Sequence, residues 1–227
     1  MLERMTSADV LWQEEAGSLS RRSTMIIAVC LIAIISVSYA AYQLWRFDAD
    51  REYWLKSDAY MVFEQSFVWN GISKTDYMVW NITRLRDGYA DLRLMSHGAN
   101  VTESGVELTL GEADLTIDLA TRKVVNGSEM VGPYLGEKWP FWIETNVSMG
   151  SVIDTWYGVT SVSQTESIYV LGQRRDCWLA EYDWPSGSMK RWFDMSSGML
   201  LKIHNVLYRH EFTIVVTETA VMTNVEF

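Results

Sequence analysis

From Tyr60 onward the chain alternates between apolar and polar residues. Val106, Leu108 and Leu110 are interleaved with Glu107 and Thr109, and Leu115, Ile117 and Leu119 with Thr116 and Asp118. A side-chain period of two is that of a strand with one dry face and one wet face. Val, Thr, Tyr, Trp and Ile recur in short runs parted by Gly, Asn, Asp and Ser, which is the antiparallel all-β pattern. Residues 76–84 and 89–95 flank Arg86-Asp87-Gly88, a hairpin signal. Further strands are expected over 151–162, 167–171, 175–184, 189–194, 199–205, 211–218 and 221–227, with turns at 185–188 and 196–198. The pattern breaks at 127–150, where Pro133 and Pro140, with Gly132 and Gly136, exclude a central strand. This segment is expected to connect two halves of the domain and to lie over the sheet. Its aromatics, Trp139, Phe141 and Trp142, then plug the core; the functional alternative is a lip over a ligand cleft.

Ahead of the alternation the chain is continuously apolar. Residues 24–45, TMIIAVCLIAIISVSYAAYQLW, carry no charge. As a helix they would reach roughly 33 Å, against a hydrocarbon core of about 30 Å. Tyr39, Tyr42 and Trp45 sit toward one end, where amphipathic rings favour the headgroup layer. The competing reading is a signal peptide cleaved after Ala40, since Ser38-Tyr39-Ala40 fits a small-x-small site. Against it stand the long, acid-containing leader and the apolar character beyond Ala40. The expected organisation is a short cytoplasmic tail (1–23), a transmembrane helix (24–45), a helical stalk (46–58) and an extracytoplasmic β domain (59–227). The fold class is thus all-β, a curved antiparallel sheet, half-barrel or sandwich-like, behind one N-terminal transmembrane helix.

Basic residues flank the apolar stretch evenly and leave its direction open. Asn81, Asn100, Asn126 and Asn146 each begin an N-x-[ST] triplet, and all lie C-terminal to it. As glycosylation acceptors they would put the domain outside the cell, although Asn-x-Ser/Thr also marks turns in β proteins. The expected localisation is the cell membrane, single-pass, N-terminus cytoplasmic and C-terminal domain outside.

Charge narrows the partners. A formal net charge of -10 with no basic run is unsuited to nucleic acid, where binding draws on cationic side chains facing phosphate. The two cysteines, Cys30 and Cys177, fall in different segments, so no internal disulfide is expected and Cys177 reads as a small buried hydrophobe.

Catalytic signatures are missing from the sequence. His210-Glu211 begins like HExxH, but Ile214 stands where the second ligand belongs, on an expected strand. No nucleophile elbow, CxxC or phosphate-binding glycine loop occurs. No catalytic residue, metal site or cofactor is assigned. Aromatic content, with 11 Trp and 11 Tyr, is the outstanding feature. Most of these rings are expected to fill the concave side of a curved sheet, while Trp139, Phe141, Trp142 and Trp156 are candidates for an apolar-ligand or partner surface.

The run YVLGQRRDCW at 169–178, followed after a hairpin by WFDMSSGMLLK at 192–202, resembles archaeal membrane-anchored surface β-proteins. The sheet that such a strand-turn-strand closes is similar to the half-barrel of the LolA-like lipoprotein carriers. The resemblance spans about 141–202, brings no catalytic residues, and departs from the carriers in the apolar stretch at 24–45. Three functions remain in view. The first is a non-catalytic binding or assembly module contacting another envelope or membrane protein. The alternative is a carrier or sensor of a lipid or other apolar ligand, and the third is an enzyme without a recognisable motif.

Overall fold

The computed structural model describes residues 54–102, 105–208, 213–225 and 227, together with Ser36 and Ser38; within 98–108 it describes backbone only. The strands are β1 (Tyr60–Trp69), β2 (Ile72–Arg86), β3 (Tyr89–Thr102), β4 (Gly105–Asp118), β5 (Val124–Gly127), β6 (Val152–Thr155), β7 (Gly158–Val170), β8 (Gln173–Trp184), β9 (Gly187–Asp194), β10 (Leu200–Tyr208) and β11 (Thr213–Thr223). One short 3-10 helix, Glu129–Tyr134, follows β5.

All these strands belong to a single antiparallel, open, curved sheet in the order β5-β4-β3-β2-β1-β11-β10-β9-β8-β7-β6. Neighbours in sequence are neighbours in space except β5 and β6, which take the two edges, and β1 pairs with β11. Two meanders, β1–β5 and β6–β11, are therefore sewn together along a β1–β11 seam, and the open edges are β5 and β6. A single layer of this kind excludes the sandwich alternative. The tight turns are made by residues in the left-handed region, Asn70-Gly71 between β1 and β2 and Leu171-Gly172 between β7 and β8, as two-residue hairpins of right-twisted strands require.

Alternation assigns the two faces. In β1, Met61, Phe63, Gln65, Phe67 and Trp69 are buried and point to the concave side, while Glu64 between them is exposed. Directly opposite residues of an antiparallel pair share a face. Met61 faces Trp80, Phe63 faces Met78 and Ala220, and Ile82 and Leu92 continue the concave side outward to Leu115.

At one end of the concave side this apolar surface is covered by the chain itself. The segment 138–143, here called the strap, carries Trp139, Phe141, Trp142 and Ile143, all buried. Phe141 meets Phe63 at 5.6 Å between ring centroids, Trp142 meets Trp80 at 5.8 Å and Trp54 at 5.4 Å. Backbone hydrogen bonds fix the strap from both sides: Trp139 N donates to Arg122 O, Ile143 N to Gly198 O, and Leu200 N to Phe141 O. The Arg122 guanidinium adds a 2.7 Å bond from Nη1 to Trp142 O.

Three strand boundaries differ from the alternation-based expectation. The two short strands expected near 106–110 and 115–119 are one strand, β4, which keeps its pairing with β3 through Gly111, opposite Ser96. The strand expected over 151–162 is a hairpin, β6 and β7, turning at Trp156-Tyr157. The break expected at 219–220 does not exist, and β11 runs through it to Thr223.

The expected membrane placement is corrected. Among the described residues no helix is long and apolar enough to cross a membrane. Of the expected span, residues 24–45, only Ser36 and Ser38 are described, both helical and exposed; the rest lies outside the described residues. Residues 54–58, the end of the expected stalk, are turn and irregular chain, and Trp54 packs into the core with its Nε1 donating to Ser197 O at 3.2 Å.

Candidate functional site

One line of residues crosses six strands on the concave face. Gln65 (β1) faces Glu218 (β11), which faces Ile203 (β10), then Arg191 (β9), Ala180 (β8) and Val162 (β7). On one side of this line lies the strap-filled core. On the other, toward the Asn70-Gly71 turn, inward positions are Phe67 and Trp69 (β1), Val216 and Ile214 (β11), Asn205 and Leu207 (β10) and Met189 (β9). Trp69, Ile214, Leu207 and Val216 form an apolar cluster of their own, separate from the main core. Its borders are open: Ile72, opposite Trp69, and Tyr182, opposite Met189, are both exposed. We call this row the trough: Phe67, Trp69, Met189 and Ile214 in it are buried, Val216 and Leu207 are half-buried, and its inner end is the polar line.

That line carries charge without matching charge. Gln65 Nε2 donates to Glu218 Oε1 at 2.9 Å, while Gln65 Oε1 and Glu218 Oε2 have no hydrogen-bond partner. Burial pushes the Glu218 carboxyl above its ordinary range, offset in part by the Gln65 bond. Arg191 has 0% of its surface exposed. Its Nη1 donates to Thr155 Oγ1 at 2.6 Å, its Nε lies 3.2 Å from the Met189 sulfur, and its guanidinium stands 5.4 Å from the centre of the Tyr157 ring. Nη2 has no partner, and among the described residues no carboxylate pairs with this cation. Desolvation pushes its pKa down to about 10, so it stays charged at neutral pH. Asn205, next along the trough on β10, also has an unpartnered Oδ1. Four adjacent strands thus each present an unanswered polar atom to the concave side.

The residues singled out from the sequence lie elsewhere. Trp139, Phe141 and Trp142 are in the strap, and half-buried Trp156 packs on it, 5.1 Å from Trp139 and 4.6 Å from Tyr134. Asn126 and Asn146 are exposed; Asn81 is half-buried on β2; of Asn100 the backbone, paired with Glu107, is described. His204 turns to the convex side, where Nδ1 contacts Thr217 Oγ1 at 3.0 Å, and His210 lies outside the described residues. Among the described residues no group of three or more His, Cys, Asp or Glu is arranged to hold a metal ion.

The motif at 192–202 is turn chemistry. The Asp194 carboxylate accepts from the backbone N–H of Ser196 and of Ser197, each at 2.9 Å, and the turn so held offers Gly198 O to the strap. Gln65, Arg191 and Glu218 went unmarked in the sequence. Their signal was phase: each is a polar residue at an inward position of an alternating strand, between Phe63 and Phe67, Met189 and Phe193, and Val216 and Ala220.

No family model and no curated protein matches the chain. Among solved structures it is similar to a candidate lipoprotein of Parabacteroides distasonis, at 11% identity and a TM-score of 0.39, covering 74% of this chain and 96% of that one. The hypothetical lipoprotein YmcC of Escherichia coli matches at 9% identity and a TM-score of 0.29, over 70% of this chain and 87% of that one. A candidate outer membrane lipoprotein-sorting protein domain of Vibrio parahaemolyticus matches at 13% identity and a TM-score of 0.26, over 81% and 90%. The first two are described as lipoproteins and the third as a lipoprotein-sorting domain. Likeness at this level fixes neither ligand nor partner for this chain.

Proposed function

We propose that the β domain is a carrier or sensor of a lipid or similar amphiphilic ligand, bound on the concave face of its half-barrel. The observation that carries this is the trough: an apolar cluster at Trp69, Ile214, Leu207 and Val216 that the strap does not cover, ending in buried polar atoms without partners. Burial of hydrocarbon against such a surface yields about 25 cal/mol per Å2, so a modest tail supplies several kcal/mol before any polar contact. A buried polar group left without a hydrogen bond costs about 1–3 kcal/mol, and a ligand head that meets several of them recovers that cost. An apolar tail with a polar head is the chemistry that answers both.

Saturable binding of the apolar dye 1-N-phenylnaphthylamine to the full chain tests this. One dye per domain is expected, with affinity at least tenfold weaker in Leu207→Asp, a half-buried trough position, at unchanged thermal stability. If the folded protein binds no dye saturably, or if Leu207→Asp binds as well as wild type, the trough is not the ligand site. Absence of binding would favour the partner-docking module, for which the strap-filled core is the supporting observation.

A further inference from the structure

We infer that the ligand of the trough is a long-chain organic acid, whose carboxylate is held by Arg191 while its hydrocarbon tail lies along Trp69, Ile214, Leu207 and Val216. This rests on the amphiphile-binding reading above and names the head group that reading leaves open.

Two other arginines with little exposed surface, Arg122 and Arg175, each lie near a carboxylate. Arg122 lies 3.9 Å from the carboxylate of Glu144 and donates to Trp142 O, and Arg175 lies 3.8 Å from the carboxylate of Asp194. Arg191 is the most deeply buried of the three, yet no carboxylate answers it among the described residues. A guanidinium removed from water without an anion is costly, and breaking a buried pair by deleting one partner typically costs as much as any single substitution. The partner is missing on the side of Nη2, the one guanidinium nitrogen with neither hydrogen bond nor sulfur contact. A carboxylate presents two coplanar acceptors to a planar fork of donors, the geometry in which arginine binds most strongly.

The surroundings accept an acid head and reject a basic one. A cationic head would meet Arg191 as a like charge. Glu218, the nearest acid along the line, is two strands away, about 10 Å at ordinary strand spacing, with Ile203 between. Burial favours its neutral form, in which Oε2 can donate to a ligand oxygen and adds no negative charge. With Arg191 fully buried, the acid head reaches it only if Met189 yields. Met189, whose sulfur touches Arg191 Nε, is the next inward residue of β9 toward Gly187, and an unbranched thioether side chain moves at little cost. From Arg191 to Gly187 is four residues, about 13 Å of trough along β9.

The test compares palmitate with methyl palmitate on the full-length protein, each by displacement of the naphthylamine dye. Palmitate should bind at least tenfold tighter, and Arg191→Gln should erase that preference by weakening palmitate alone. Arg191→Lys, which keeps the charge and loses the fork, should retain part of it. A second measurement needs no variant: palmitate labelled with 13C at its carboxyl should, when bound, remain ionised to lower pH than free palmitate. If acid and ester bind wild type equally, or the bound carboxyl titrates at or above its free value, the assignment of Arg191 is overturned while the trough keeps its ligand. If neither binds, both readings fall.

Discussion

Glu218 and Cys177 are both buried, and burial does opposite things to how each can be tested. The carboxyl of Glu218 is raised above its ordinary value of 4.5, so the folded state keeps a proton that the unfolded chain gives up. Stability is then fully present below the unfolded value and falls as pH rises from it toward the folded value. Glu218→Gln keeps an acceptor for Gln65 and removes the charge. It should raise stability at pH 7 by about 1 kcal/mol, or about 2–4 °C in Tm, with no gain at pH 4. A gain of equal size at both pH values would mean the carboxyl is ionised inside the fold. Cys177 is fully buried, and burial with the neighbouring acids Asp194 and Asp176 pushes its thiol up to about 12. In a Cys30→Ser chain, DTNB should therefore label Cys177 only at the rate of global opening; fast labelling under native conditions would contradict that burial.

At the level of elements, the strap explains why half of the concave face needs no ligand. Gly198 has φ +73°, and a Cβ there would stand 2.3 Å from Ile143 O. Gly198→Ala should cost about 2–4 kcal/mol by combining a left-handed backbone with that collision, read as a lower urea midpoint at unchanged slope. Trp139→Ala removes a ring packed on Phe141, Trp142 and Trp156 and should cost about 3–5 kcal/mol. The strap was legible in sequence because proline and glycine interrupt the alternation there while aromatics continue it. The β6–β7 hairpin was not, since Trp156-Tyr157 carries β-formers at the bend and only Gly158 after it. Gly111 lies inside β4, where a Cβ would stand 2.7 Å from the Met130 sulfur.

For the whole molecule, the all-β class and the curved sheet were legible from period-two alternation, while the site was not. Gln65 and Glu218 are 153 residues apart, and nothing local announces that the first and last strands are partners. Strand phase tells which face a residue takes but not which distant strand shares its row, so the polar line across β1, β11, β10 and β9 appears only once the register is known. That β1–β11 seam also sets an order of events during synthesis. β1 leaves the ribosome first and its true neighbour last, so for most of translation Tyr60–Trp69 is a long, apolar, unpaired edge, the kind that recruits strands from other chains. A polypeptide stopped before Thr213 should therefore be caught in aggregates or by holdase chaperones, and the newborn protein's most dangerous moment comes just before its final strand closes the seam.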